Sequence, residues 1–305
     1  HSIRDTKRSE YLTVTEVLAT SSHICTTQIY ERLGKEALHR WAKKFHFGRR
    51  PQVQLPGAAK GLLADWEKWS DIQAANISFG QGMSASPLQV AAAFATLANG
   101  GLYNEPTLVT QITNAAGEPV WTHAPERERI VSESTSRTTL EMLTAVVHTK
   151  KGTGKNARID GFRVAGKTST AQKANPQGGY FEDQYYASFV GALPAEKPEV
   201  VILVSVDNPE GGHSGNQAAA PAVRPPPARP PRHQRRVPRV SVASRSPLSS
   251  RRVAAIVTRR PHRPASPADT LATPRPRLYQ RRPQQGGAYR ANPRSCSSPP
   301  RPIAN

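Results

Sequence analysis

The sequence predicts an α+β fold, a run of helices followed by an antiparallel sheet. Three observations predict it. Two capping boxes, Thr13-Val14-Thr15-Glu16 and Ser86-Pro87-Leu88-Gln89, open segments with helical periodicity. From Phe162 onward the apolar period changes, and 162–170, 185–193 and 200–206 read as strands. The connectors between these strands are short enough for antiparallel neighbours.

The elements follow in order. Thr13 caps the first helix, with Leu12 and Val17 at the two staple positions, and the helix stops near Ser21-Ser22. A second helix runs from about Ile24 to Leu33, with Gly34 as the residue that ends it. A third passes through Glu36 to about Phe45 and is ended by Gly48. After Ser86, Pro87 takes the first helical position, where its missing N–H costs nothing. That Ala-rich helix puts Val90, Phe94 and Leu97 on one face and ends at Asn99-Gly100-Gly101. Leu140, Leu143 and Val147 share the apolar face of a further helix, closed by Lys150, Lys151 and Gly152. The last strand, Val-Val-Ile-Leu-Val-Ser-Val, is a run expected where a sheet is covered on both faces.

Composition divides the 305 residues at about position 222. Residues 1–222 carry 23 basic and 21 acidic residues and are of ordinary globular composition. Residues 223–305 hold 19 Arg, no Lys and one acidic residue, Asp269, so nearly all of the net charge of +20 lies there. The tail is also Pro-rich, with Tyr279 and Tyr289 as its only aromatics, so it is expected to be disordered. Arg, Pro, Ala and Ser have G+C-rich codons and Lys does not. Our hypothesis is that the tail is frameshift-derived; an intact reading frame on resequencing the 3′ end would remove it. The N-terminus has neither an initiator Met nor an apolar signal core, as in a chain cut from something longer. No apolar stretch reaches 18 residues. Cys25 and Cys296 form no metal-spaced pair, so neither a disulfide framework nor a zinc site is expected; no cofactor is expected either.

One segment carries candidate chemistry. Lys167-Thr168-Ser169-Thr170 lies on the first strand, after Val164-Ala165-Gly166. A lysine followed by hydroxyls on a sheet edge suits an anionic substrate, because the ammonium attracts a carboxylate and strand N–H groups can face an oxyanion. By itself the segment reads better as a solvated strand end. The run from Gly161 to Thr168 also matches a phosphate-loop pattern, but its flanks read as neither buried strand nor helix. Trp66 and Trp69 are expected to pack on the domain, and His213 to be a loop residue.

With these residues in place, the chain resembles the penicillin-binding transpeptidases, which carry S-x-x-K, S-x-N and K-T-G elements. VAGKTSTAQK (164–173) looks like the third element, and Ser21-Ser22-His23 stands where the second would be. Residues 77–101, 152–173 and 185–209 look like the division-type class B enzymes, and the likeness runs from about 3 to 222. The resemblance implies the serine β-lactamase-like transpeptidase fold in incomplete form, holding the helical subdomain and the C-terminal strands. It implies acyl transfer from D-Ala-D-Ala stem peptides in septal cell-wall cross-linking, through an acyl-enzyme that β-lactams also form. Partners implied are peptidoglycan stem peptides, β-lactams and division proteins, at a periplasmic site anchored in the inner membrane. Ser21 would relay protons, Lys167, Thr168 and Ser169 would bind substrate, Thr170 would lend its N–H to the oxyanion hole, and His23 would bond the substrate backbone.

Four departures qualify the likeness. No serine has Lys three positions later, so the nucleophile is absent from these 305 residues. His23 stands for the family's Asn, and Ser169 for its Gly. Beyond Ala222, Val-Arg-Pro-Pro-Pro replaces the expected covering helix, which would leave a sheet face open. The competing functional reading is a non-catalytic remnant or scaffold whose basic tail holds polyanions without specific nucleic-acid recognition.

Overall fold

The computed structural model describes residues 3–5, 9–54, 56–224 and 253–259. The first helix, α1 (Val14–Thr20), is opened by the expected capping box, with Glu16 N–H donating to Thr13 Oγ1 at 3.2 Å and Thr13 N–H to Glu16 Oε2 at 3.0 Å. Helix α2 (His23–Leu33) follows after two residues. Gly34, at φ +87°, ends α2 and starts α3 (Lys35–Lys44). Helix α4 (Asp71–Ser78) is capped by Ser70, and α5 (Pro87–Ala98) by the reciprocal bonds of Ser86 and Gln89. Three-residue strand β1 (Leu102–Asn104) then pairs with β4 (Arg127–Arg129) around a hairpin of β2 (Gln111–Thr113) and β3 (Pro119–Thr122). The longest helix among the described residues is α6 (Glu133–His148).

The main sheet begins after α6. Strands β5 (Ala165–Ala174), β6 (Tyr180–Leu193) and β7 (Val200–Asp207) run antiparallel in chain order. A short helix α7 (Gly215–Ala218) and a 3-10 turn (Ala220–Val223) come next. The order of the sheet is β5-β6-β7-β8, where β8 is Val253–Arg259. Strand β5 is therefore an outer strand.

One core unites the sheet with two helices. Phe94 of α5 and Leu140, Leu143, Val146 and Val147 of α6 pack against Val164, Phe189, Val201, Leu203 and Val204. The predicted apolar faces of both helices supply this contact; Val90 and Leu97 lie at its margin. A second cluster gathers Trp69, Ala74 and Ile77, with Trp66 against it, so the tryptophans pack on the domain as expected.

The structure differs from expectation in three places. Helix α4 and strands β1–β4 were not legible, because the strands are three or four residues long and β2–β4 are exposed throughout, with no alternation to read. The sheet face expected to lie open is partly covered, since Ala219, Ala220 and Val223 are buried in the main core before Pro225 is reached. The disordered-tail expectation falls on 225–252 and 260–305, outside the described residues. Within that tail, Val253–Arg259 pairs with β7, Val253 opposite Val206 and Arg259 opposite Val200. Val-Ala-Ala-Ile-Val-Thr is a strand-forming run whose signal was diluted by averaging over an Arg- and Pro-rich segment. Its pairing satisfies a row of β7 backbone groups that would otherwise form a sheet edge.

Candidate active site

The site lies where the α1–α2 corner meets the outer strand β5. The corner is tight: Ser21 caps α1 in the left-handed conformation, φ 55° and ψ 49°, and Ser22 caps α2. Ser22 Oγ accepts from Cys25 N–H at 3.1 Å and donates to Asp5 Oδ2 at 2.6 Å. Asp5 Oδ1 accepts from the N–H groups of His23 (2.6 Å) and Ile24 (3.1 Å). A carboxylate at a helix N-terminus opposes the positive end of the helix dipole. Asp5 and Ser22 thus fix the direction in which Ser21 and His23 leave the corner.

Lys167 reaches this corner from the strand. Its Nζ donates to Ser21 Oγ at 2.8 Å and to the Thr168 carbonyl at 3.2 Å. Both partners are neutral, and no ion pair to Lys167 occurs among the described residues. Burial alone lowers its pKa from 10.5 to about 8, because the desolvated ammonium has no counter-ion nearby. The His23 ring stacks on Phe79 at 4.4 Å. Burial depresses its pKa, Asp5 opposes that shift, and the Lys167 charge adds to it.

The other strand residues face other partners. Thr168 Oγ1 donates to Thr153 Oγ1 at 2.9 Å, and Thr153 in turn bonds the Ala19 carbonyl of α1 through N–H (3.0 Å) and hydroxyl (3.1 Å). That chain ties β5 to α1 and commits the Thr168 proton. Thr170 Oγ1 accepts from Gly215 N–H at 3.2 Å, pinning the start of α7 to the strand. Ser169 is exposed. The structure therefore brings Ser21, His23 and Lys167 together, while the hydroxyls of Thr168 and Thr170 are bonded within the domain. Asp5, Phe79 and Thr153 were missed; each acts through a tertiary contact and none stands at a spacing that a motif would mark.

Gly166 is required by packing. A Cβ there would come within 2.4 Å of Phe189 Cζ and 3.0 Å of the Val190 carbonyl, and Phe189 is fully buried. Gly166→Ala is expected to cost about 1–3 kcal/mol through overpacking. Urea unfolding checks this, and an unchanged midpoint would remove the explanation.

Other features lie apart. The phosphate-loop pattern is excluded by its setting, since Gly166, Lys167 and Thr168 lie within strand β5 and are not followed directly by a helix. His213 stacks on Tyr185 at 4.7 Å in a loop. An open cleft of about 830 Å³ against α3 is lined by Arg40, Lys43, Lys44, Arg49 and Trp66 among others, and by none of the candidate residues. No group of three potential metal ligands occurs among the described residues.

Comparison with known proteins gives a consistent answer. Residues 1–226 match the family model "Penicillin binding protein transpeptidase domain". The chain is 35% identical over 216 residues to penicillin-binding protein PbpB of Mycolicibacterium smegmatis, covering 69% of this chain and 33% of that protein. It is 37% identical over 214 residues to stage V sporulation protein D of Bacillus subtilis, covering 69% and 33%. It is 34% identical over 222 residues to peptidoglycan D,D-transpeptidase FtsI of Escherichia coli K12, covering 72% and 36%. The chain thus spans about a third of the length of these curated relatives. Among solved structures, penicillin-binding protein 3 from Mycobacterium tuberculosis superposes with a TM-score of 0.68 at 34% identity, covering 72% of this chain and 52% of that one. The same protein has been solved with aztreonam and with ampicillin. The transpeptidase domain of penicillin-binding protein 3 from Burkholderia pseudomallei superposes with a TM-score of 0.64 at 37% identity, covering 72% and 64%.

Proposed function

The chain belongs to the penicillin-binding protein transpeptidase family, and from that premise we propose that its body is the substrate-holding side of a peptidoglycan D,D-transpeptidase site. The single observation that carries this reading is Lys167, a desolvated cation on an outer strand whose bonded partners are both neutral. Such a group is an open seat for an anion, and the terminal carboxylate of a D-Ala-D-Ala stem peptide has the right charge. In this reading Ser169 and the Thr170 N–H line the same strand beside the ligand, and His23 bonds the ligand backbone. Ser21 passes protons between Lys167 and a lysine supplied by the S-x-x-K element. The Thr168 hydroxyl shapes the strand through Thr153 rather than donating to the ligand. Division proteins as partners, and a periplasmic site anchored in the inner membrane, belong to the same proposal. No described helix is long and apolar enough to cross a membrane.

Titration calorimetry tests the reading. A stem peptide ending in free D-Ala-D-Ala is expected to bind reversibly, and Lys167→Met to weaken it about tenfold or more, the loss expected when a charge-assisted bond is removed. The same peptide with an amidated C-terminus lacks the carboxylate. Equal binding of the amide and the acid would sink the assignment of Lys167.

The Arg-rich tail favours a second, separate activity. Nineteen Arg against one acidic residue would hold polyanions by counterion release, without sequence preference. Deleting 223–305 is expected to abolish retention on DNA–cellulose and to leave stem-peptide binding unchanged. Because Val253–Arg259 pairs with β7, the deletion should be checked for monodispersity. Retention that survives in a monodisperse deletion would place the polyanion site on the body.

A further inference from the structure

We infer that Ser21 is itself a nucleophile, paired with Lys167 as its base, toward small activated esters such as aryl acetates. This goes beyond the stem-peptide reading and does not depend on it.

Four observations carry the inference. First, Ser21 stands at a sharp corner between two helices in the left-handed conformation, which costs a non-glycine residue about 1 kcal/mol. The corner carries the Ser21 hydroxyl out between α1 and α2 toward Lys167 on β5. Second, Lys167 Nζ lies 2.8 Å from Ser21 Oγ, within reach for direct proton transfer. Third, the two hydroxyls of the corner have different duties. Ser22 Oγ is held by Asp5 and the Cys25 N–H, whereas the one hydrogen bond of Ser21 Oγ among the described residues is the one from Lys167. Fourth, Ser21 is only partly buried, so a small ester can reach it.

Electrostatics sets the direction of proton flow. With Lys167 charged, Nζ donates and Ser21 accepts, as in the structure. Desolvation without a counter-ion brings the pKa to about 8, so a mildly alkaline solution holds the neutral amine. The bond then reverses, with Oγ–H donating to Nζ. The His23 ring is stacked on Phe79, and Asp5 is bonded to Ser22 and the α2 N-terminus, so neither competes for the Ser21 proton.

The step balances with the groups present. Ser21 Oγ attacks the carbonyl carbon of p-nitrophenyl acetate and forms the new C–O bond, while its proton passes to Lys167 Nζ. The bond to the aryl oxygen breaks, and p-nitrophenolate leaves with the bonding electrons. Water then hydrolyses acetyl-Ser21, releasing acetate and restoring the hydroxyl. An aryl oxide leaves without protonation. An amide-type nitrogen does not, so stem peptides and β-lactams lie outside this reactivity.

Peptide mapping of the full chain after treatment with p-nitrophenyl acetate decides the matter. The expected result is acetyl on Ser21, with nitrophenolate release rising to half its maximum near pH 8. Ser21→Gly removes the hydroxyl and suits the left-handed corner, so it is expected to fold. Lys167→Met removes the base. Ser21→Gly should abolish acetylation at position 21, and Lys167→Met should lower it about 100-fold or more, the span of general-base catalysis. Acetyl on Lys167 Nζ or on surface lysines with Ser21 unmodified would overturn the proposal. So would release from Ser21→Gly at the wild-type rate. Mapping on the wild-type chain suffices should either variant misfold.

Discussion

Labelled penicillin is expected to leave these 305 residues without a covalent adduct. The family's acyl-enzyme forms on the serine of an S-x-x-K element, and no serine here has Lys three positions later. Removing the nucleophile of a serine enzyme costs on the order of 10⁶ in turnover, judged from a serine protease. The Ser21–Lys167 pair does not replace it. β-Lactam opening needs a proton delivered to the ring nitrogen and an oxyanion hole that includes the N–H of the attacking serine, and Ser21 N–H is turned back to the Val17 carbonyl as the α1 cap. Intact-mass measurement after incubation with a labelled penicillin checks this directly. A stoichiometric adduct, mapped to any serine, would end the reading of this stretch as the substrate-holding side alone. A longer chain carrying an S-x-x-K segment ahead of residue 1 is expected to acquire the adduct.

Lys167→Met is expected to make the protein more stable at neutral pH. Lowering the lysine pKa from 10.5 to about 8 corresponds to about 3 kcal/mol by which folding disfavours the charged form. Losing the hydrogen bonds to Ser21 and to the Thr168 carbonyl offsets about 2 kcal/mol of that, at about 1 kcal/mol each, so the net gain should be about 1 kcal/mol. The sign follows from proton binding. Between pH 8 and 10.5 the unfolded chain binds the Lys167 proton more tightly than the folded one, so this group's contribution to stability rises with pH across that window. Below pH 8 the penalty is present in full. The gap between variant and wild type should therefore be widest at neutral pH and close as pH approaches 10.5. Urea melts of both proteins at pH 7 and 10 measure it, and other alkaline groups cancel in the difference. A variant less stable than wild type at pH 7, or a gap that does not change with pH, would show that the ammonium is better solvated than its setting implies. A stabilising substitution at this position would also mark Lys167 as a residue held there for binding rather than for the fold.

Legibility varied from element to element. Helix α1 could be placed from Thr13 and Glu16 alone, because a capping box is satisfied by residues three apart. Helix α5 was legible from Ser86, Pro87 and Gln89 for the same reason. Strand β7 was visible as an unbroken apolar run. Strand β8 has as good a local sequence, but its formation depends on an open β7 edge more than forty residues earlier in the chain. The role of Gly166 was equally hidden, since the clash that demands glycine comes from Phe189 on the neighbouring strand.

At the site, residue types alone singled out the Lys167 segment; the resemblance pointed to Ser21 and His23 and supplied the roles of all three. The 2.8 Å contact between Ser21 and Lys167 spans 146 positions, and no periodicity records such a distance. The same holds for Asp5 beneath the corner and for Thr153 holding Thr168. The sequence by itself determined α1, α2, α3, α5 and α6, strands β5–β7 and the family, because caps, alternation and motifs act between residues close along the chain. Only the tertiary structure decided which hydroxyl meets the lysine, how far its charge is desolvated and what covers the sheet. Those quantities depend on groups that folding, not chain order, makes neighbours.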